Sequence, residues 1–173
     1  EFAEKGSDAT VPFWFGFVCE LKGSIILDSS AGQQESKDII EAVRLLEQAL
    51  KAFEEHCSST GHYLVRLLSY LACARAQAGN THGAVEAAKR AMTICEVSGA
   101  THRDLHFAQI AMAEAGGGDV AHVAEWHAKA KRCGERWPQG HPMQRRVERH
   151  LLKSQRRLGL VPDQSALAES VGY

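Results

Sequence analysis

Ala84-Val-Glu-Ala-Ala-Lys-Arg-Ala-Met-Thr-Ile-Cys-Glu-Val-Ser-Gly-Ala-Thr-His102 decides how this chain is read. It has no proline. Its alanines at 84 and 91 are seven residues apart, two turns of an α-helix. It then breaks at Ser98-Gly99-Ala-Thr101 before a histidine. The pattern predicts a helix with a small-residue seam, followed by a loop and a second helix. Small residues let two helix axes approach closely, which an antiparallel helix pair needs.

Working outward, the same marks return in phase. Ala130 lies 39 residues after Ala91, and Ala49 lies 42 before it. Ala42 precedes Ala49 by seven, as Val123 precedes Ala130. Ala72 and Ala111 each fall twelve before Ala84 and Val123, and Gly79 and Gly118 five before them. His62, His102 and His141 each follow a loop and open a helix, at gaps of 40 and 39. Asn80 and Asp119 each start the next helix, 39 apart, and an Asp or Asn there can cap it. Recurrence of a two-helix unit at this length predicts a helical solenoid.

The helices are legible segment by segment. Within Glu41–Phe53, Val43, Leu46, Leu50 and Phe53 recur at steps of three, four and three, the helical period. Leu64, Leu68, Leu71 and Ala72 form a similar stripe between His62 and Ala78. No long stretch alternates apolar and polar residues, so no sheet is expected. Ala78-Gly79-Asn80, Gly116-Gly-Gly-Asp119, Trp137-Pro-Gln-Gly140 and Gly159-Leu-Val-Pro162-Asp163 divide the chain further. Val11–Leu27 is apolar around much of a helix and is expected to be buried, with Gln34–Cys57 as its partner. Asp163–Val171 is expected to form a short cap over the far end, because solenoid ends must be covered or polar.

The small residue of the first helix, the turn glycine and the paired alanines resemble the tetratricopeptide (TPR-like) repeat. The stretch from Ala84 to His102 looks like the longer repeat of kinesin light chains, in which Gly-x-x-His leads into the next unit. The C-terminal helical region of SET-MYND lysine methyltransferases is similar. Two departures are plain. Ser69-Tyr70 occupies the place of the paired asparagines of the kinesin repeats, and only His141-Pro142 keeps the proline that follows the histidine. The expected fold is therefore all-α: a TPR-like superhelix of about seven main helices in antiparallel pairs plus the cap. It makes one domain over residues 3–173, with units near 11–61, 62–101, 102–140 and 141–173.

The resemblance implies a groove lined by the first helix of each unit. Four residues after the marker histidines come Arg66, His106 and Arg145, and one turn later Ser69, Gln109 and Glu148, with Tyr70, Arg103 and Arg149 close by. An arginine can grip a carboxylate through two parallel hydrogen bonds. The expected function is a protein-interaction scaffold that holds a partner peptide, acidic or ending in a carboxylate, in the concave groove. The competing reading is that these arginines pair with acids of neighbouring units.

Two further functions stay open. One is the helical regulatory or dimerisation region of a larger enzyme such as a SET-MYND methyltransferase; a start at Glu1 fits a piece of such a chain. The other is RNA binding through the basic C-terminal third. Residues 129–157 hold ten bases against two acids, whereas the first sixty hold five against eleven, in a chain of net charge −1. No aromatic residues are interleaved with Arg145–Arg157 to stack on bases.

No nucleophile elbow, phosphate loop or dinucleotide motif is present, so no enzyme activity and no cofactor are expected. The five cysteines form no CxxC pair, and Cys57/His62 and His102/His106 have no second pair at metal spacing. Free thiols, no metal and an intracellular, cytoplasmic setting without membrane insertion follow as expectations. Trp14, Trp126 and Trp137 are expected in helix packing.

Overall fold

The computed structural model describes residues 10–29, 37–56, 62–97, 102–116 and 118–160. They form seven α-helices: α1 (Thr10–Ser29), α2 (Lys37–His56), α3 (His62–Gln77), α4 (Thr81–Val97), α5 (His102–Ala115), α6 (Val120–Glu135) and α7 (Pro142–Arg157). Among the described residues there is no strand. The cap expected over Asp163–Val171 lies outside them.

Local chemistry fixes the turns. After α3, Gly79 takes φ +75°, a left-handed conformation that favours glycine. Asn80 N–H then reaches back to the Arg75 carbonyl at 2.9 Å. The Asn80 Oδ1 accepts from Gly83 N–H at 2.9 Å and so opens α4. Asp119 does the same for α6, accepting from Ala121 and His122 N–H at 2.9 and 3.1 Å. His141 caps α7 through Nδ1, which accepts from Met143 N–H at 3.1 Å, ahead of Pro142 in the first helical turn. In the turn between α5 and α6, a Cβ on Gly116 would stand 2.1 Å from the His122 ring and displace it. That ring spans the turn, its Nε2 lying 3.0 Å from the Met112 carbonyl oxygen.

Packing follows the small residues. The helices pair as α1 with α2, α3 with α4, and α5 with α6. Next, α3 and α4 both pack against α5, α2 packs against α3, and α7 lies against α5 and α6. Ala42, Ala49, Ala84, Ala91 and Ala130 are fully buried on the second helices, as are Ala72 and Ala111 on the first. In α1, glycines take that part. A Cβ on Gly23 would come 2.9 Å from Leu46 Cγ, and one on Gly16 3.2 Å from Ala52 Cβ. The main core runs through α1 to α5 and is filled by Leu27, Ile39, Leu46, Phe53, Leu64, Leu68 and Leu71. Ile110, Ala130, Val147 and Leu151 make a second, smaller cluster under α7.

One expectation is corrected. The helix read from Val11–Leu27 is buried on one face only. Gly16 and Gly23 meet α2 and Cys19 and Leu27 are buried, while Trp14, Phe15, Val18, Leu21 and Ile25 are exposed. The neighbour that full burial of α1 would need is absent among the described residues.

Candidate functional site

The first helices α1, α3, α5 and α7 converge on one side of the molecule. Their polar residues meet there, and most are engaged with one another. Arg66 on α3 closes a two-pronged pair with Glu20 on α1: Nε to Oε1 at 2.5 Å and Nη2 to Oε2 at 3.0 Å. Burial opposes the Arg66 charge, but the Glu20 hydrogen bond and charge outweigh it and hold the pKa above the ordinary arginine value. Deeper, Arg157 of α7 grips Glu114 of α5 through Nε at 2.8 Å and Nη2 at 2.5 Å, and reaches Asp28 of α1 at 3.3 Å. Lys153 bonds the same Asp28. These pairs tie both ends of the described chain together across α5.

Aromatic rings cover this floor. Tyr70 and Phe107 meet edge to face with centroids 5.7 Å apart. Arg146 lies over the Phe107 ring at 5.2 Å, within cation–π range. His106 stacks on His150 at 5.2 Å, with Nε2 and Nδ1 3.1 Å apart. Burial, then the neighbouring His106, Arg146, Lys153 and Arg157, push the His150 pKa down to about 3. Burial and the Asp28 carboxylate push the Tyr70 phenol up to about 12. Both groups are neutral at pH 7.

Above the Arg66–Glu20 pair lies a cleft of about 220 Å³, lined by Phe17, Glu20, Leu21, Ser24, Arg66, Tyr70 and Arg146. Beside it a hollow of about 20 Å³ holds Asp28, Ser69, Tyr70, Cys73, Phe107 and the basic end of α7. The cleft combines two aromatic rings, an aliphatic side chain, the Glu20 carboxylate and two guanidinium groups, Arg66 on Glu20 and Arg146 over the Phe107 ring. It can hold a small apolar side chain with an anionic group beside it. Cys73 is fully buried, and burial together with Glu114 keeps its thiol well above the usual pKa. Cys19, Cys95 and Cys133 are likewise buried thiols shifted upward by burial. Among the described residues no three His, Cys, Asp or Glu side chains gather as metal ligands.

The residues singled out from sequence divide into three groups. Arg66 and Tyr70 line the cleft. Ser69, His106 and Gln109 are buried and bonded internally: Ser69 Oγ donates to the Val65 carbonyl at 2.6 Å, His106 meets His150, and Gln109 Oε1 accepts from the Cys133 thiol at 3.2 Å. Arg145, Glu148 and Arg149 are exposed on α7 and do not line the cleft. The Arg103 side chain lies outside the described residues.

Arg146, Phe17 and Leu21 are cleft residues that the sequence reading passed over. A physical signal for Arg146 existed. His62 and His102 are the first residues of their helices, whereas His141 is a cap and Pro142 is the first helical residue. Four residues on from 62, 102 and 142 come Arg66, His106 and Arg146. The buried positions of α7, Val147, Leu151 and Ser154, fix the same register. Ser154 is held by His127 of α6 at 2.9 Å, which sets how α7 is rotated.

Comparison of the chain with protein-family models, curated proteins and solved structures found no match.

Proposed function

We propose that the chain is a TPR-like helical-repeat scaffold that binds a segment of another protein in the cleft between α1, α3 and α7. The observation that carries this reading is the lining of that cleft. Arg146 stands at its rim beside Phe17, Leu21 and Tyr70, so charge and apolar surface sit side by side. The in-phase burial of alanines on α2, α4 and α6 supports the repeat architecture. The fitting partner is an acidic residue or terminal carboxylate next to one apolar side chain, held by a preformed groove with no chemistry of its own. Among the described residues no helix is long and apolar enough to cross a membrane, in keeping with an aqueous partner.

Arg66 supports the cleft rather than gripping the ligand, because its fork is taken by Glu20. The test turns on Arg146, which lines the cleft and lies over the Phe107 ring. A display library of disordered protein segments, screened on the 173-residue chain, should enrich an acidic motif. Arg146→Glu should abolish that enrichment, and Arg145→Glu, one residue round the same helix, should keep it. No enrichment, or equal loss with both variants, overturns the reading.

A further inference from the structure

The cations of the chain are not all held in the same way. Outside α6 and α7, every arginine whose side chain is described is paired with an acid: Arg44 with Glu41, Arg66 with Glu20, Arg75 with Glu47 and Arg90 with Glu54. On α6 and α7, Lys129 is paired with Glu125, and Lys153 and Arg157 with Asp28 and Glu114. Lys131, Arg132, Arg145 and Arg149 are exposed and make no ion pair among the described residues. Arg145 and Arg149 lie one turn apart, about 6 Å along the solvent side of α7, and Glu148 is the single acid of that helix. The turn leading into α7 adds a flat aromatic surface. Trp137 and His141 stack with centroids 4.7 Å apart and planes at 15°. Both rings are half-buried, and no third ring lies against them among the described residues. The turn is held by the Pro138 carbonyl, which accepts from His141 N–H at 2.9 Å, and by Gln144 Oε1, which accepts from Gly140 N–H at 2.8 Å. The Arg145 guanidinium reaches over the same turn, its Nη2 3.8 Å from where a Cβ on Gly140 would stand. Rings and guanidinium thus meet at one end of the exposed cations, on a turn already shaped before anything binds.

We propose that a single-stranded nucleic acid lies along the solvent side of α7, with phosphates on Arg145 and Arg149 and one base on the Trp137–His141 stack. Unpaired guanidinium groups beside aromatic rings are the combination such a strand needs: the cations hold its backbone and the rings take the face of a base. The helix α7 carries no aromatic residue of its own; the fold supplies the rings from the turn ahead of it. A duplex keeps its bases stacked inside and would leave the rings idle. A membrane surface would need an apolar row beside the cations, and Leu152 is the single large apolar side chain exposed on α7. An acidic protein segment could pair with the arginines but brings no flat face for the rings. Arg146 is turned away from this surface, over Phe107, so the proposal stands apart from the peptide cleft.

The test is fluorescence anisotropy on the 173-residue chain with labelled single strands of about 16 nucleotides, RNA and DNA of one sequence. Binding that weakens as salt is raised is expected. Arg145→Glu together with Arg149→Glu should abolish it, with the thermal midpoint unchanged. Trp137→Ala should weaken it about tenfold and leave the salt slope as it was, because stacking releases no counterions. Trp137→Phe, which keeps a ring, should recover most of that loss, and so separates stacking from a damaged turn. Tighter binding of RNA than of DNA assigns contacts to the 2′-hydroxyl, and equal binding assigns them to phosphates and bases alone; both support the proposal. No binding of either strand at low salt overturns it. Equal binding of a duplex, of anionic vesicles or of polyglutamate overturns it too, as does a Trp137→Ala variant that binds like the parent.

Discussion

The helices α1 and α7 reverse each other's appearance. Read as sequence, α1 is an apolar helix fit for burial and α7 a basic helix fit for solvent. In the structure the side of α1 away from α2 is exposed, with Trp14 and Ile25 in water. The inward side of α7 is buried in ion pairs, with Arg157 and Lys153 joined to Asp28 and Glu114. The difference teaches that composition reports how much of a face needs covering, and the neighbours decide which face is covered. A run of arginines facing acids on other helices becomes internal bracing. A run of large apolar residues facing none of the described helices stays exposed.

The sharpest way to break this contrast is to remove the bracing. Glu114→Leu leaves Arg157, 6% exposed at its side chain, with only the more distant Asp28. A buried charge stripped of its partner costs about 3–5 kcal/mol, and urea unfolding should read that loss. Adding Arg157→Met should recover most of it, because a buried pair replaced by apolar side chains is often neutral. If the single variant is as stable as the parent, the pair is not bracing the molecule.

The two faces of α1 give the next contrast. Leu27 is fully buried in the main core, and Leu27→Ala should cost about 2–4 kcal/mol through lost contacts and the cavity left behind. Ile25→Ala, two positions away and exposed, should cost under about 1 kcal/mol in unfolding at low protein concentration. Equal losses would show that the outer stripe is covered within the monomer.

A smaller effect follows from His150. Its folded pKa of about 3 lies below the ordinary value of about 6.5. The unfolded chain therefore binds more protons between these values. The stability contributed by the neutral ring is present above pH 6.5 and is lost as pH falls from there toward 3. Urea midpoints at pH 7 and pH 5 should differ in that direction, and His150→Gln should narrow the gap. The smallest effect belongs to the solvent side of α7: Arg145→Glu should leave the melting midpoint unchanged, since exposed substitutions away from special features rarely register.

Much of the all-helical, paired arrangement was legible before the structure. The markers at Ala49, Ala91 and Ala130 fall on α2, α4 and α6 and are fully buried. Gly79, Asn80, Asp119 and His141 do at the turns what their chemistry suggests. The cleft was legible only in part. Counting from the histidines singled out Arg66, and the place of the kinesin asparagines singled out Tyr70; both line the cleft. The same count from His141 fell one residue short, on Arg145 rather than Arg146, because His141 precedes its helix while His62 and His102 begin theirs. One residue turns a side chain by about 100° on a helix, enough to carry it from the groove to solvent.

The sequence by itself determined the helices, their boundaries and the positions at which they approach, since these rest on local propensity, capping and the spacing of small residues along one stretch of chain. Only the tertiary structure decided which charges meet. Glu20 with Arg66 and Asp28 with Arg157 join residues 46 and 129 positions apart, and no periodicity within a helix reports a partner brought to it by the packing of other helices. The exposure of the α1 stripe was decided in the same way. Burial belongs to the space around a helix, and that space is set by every other helix at once.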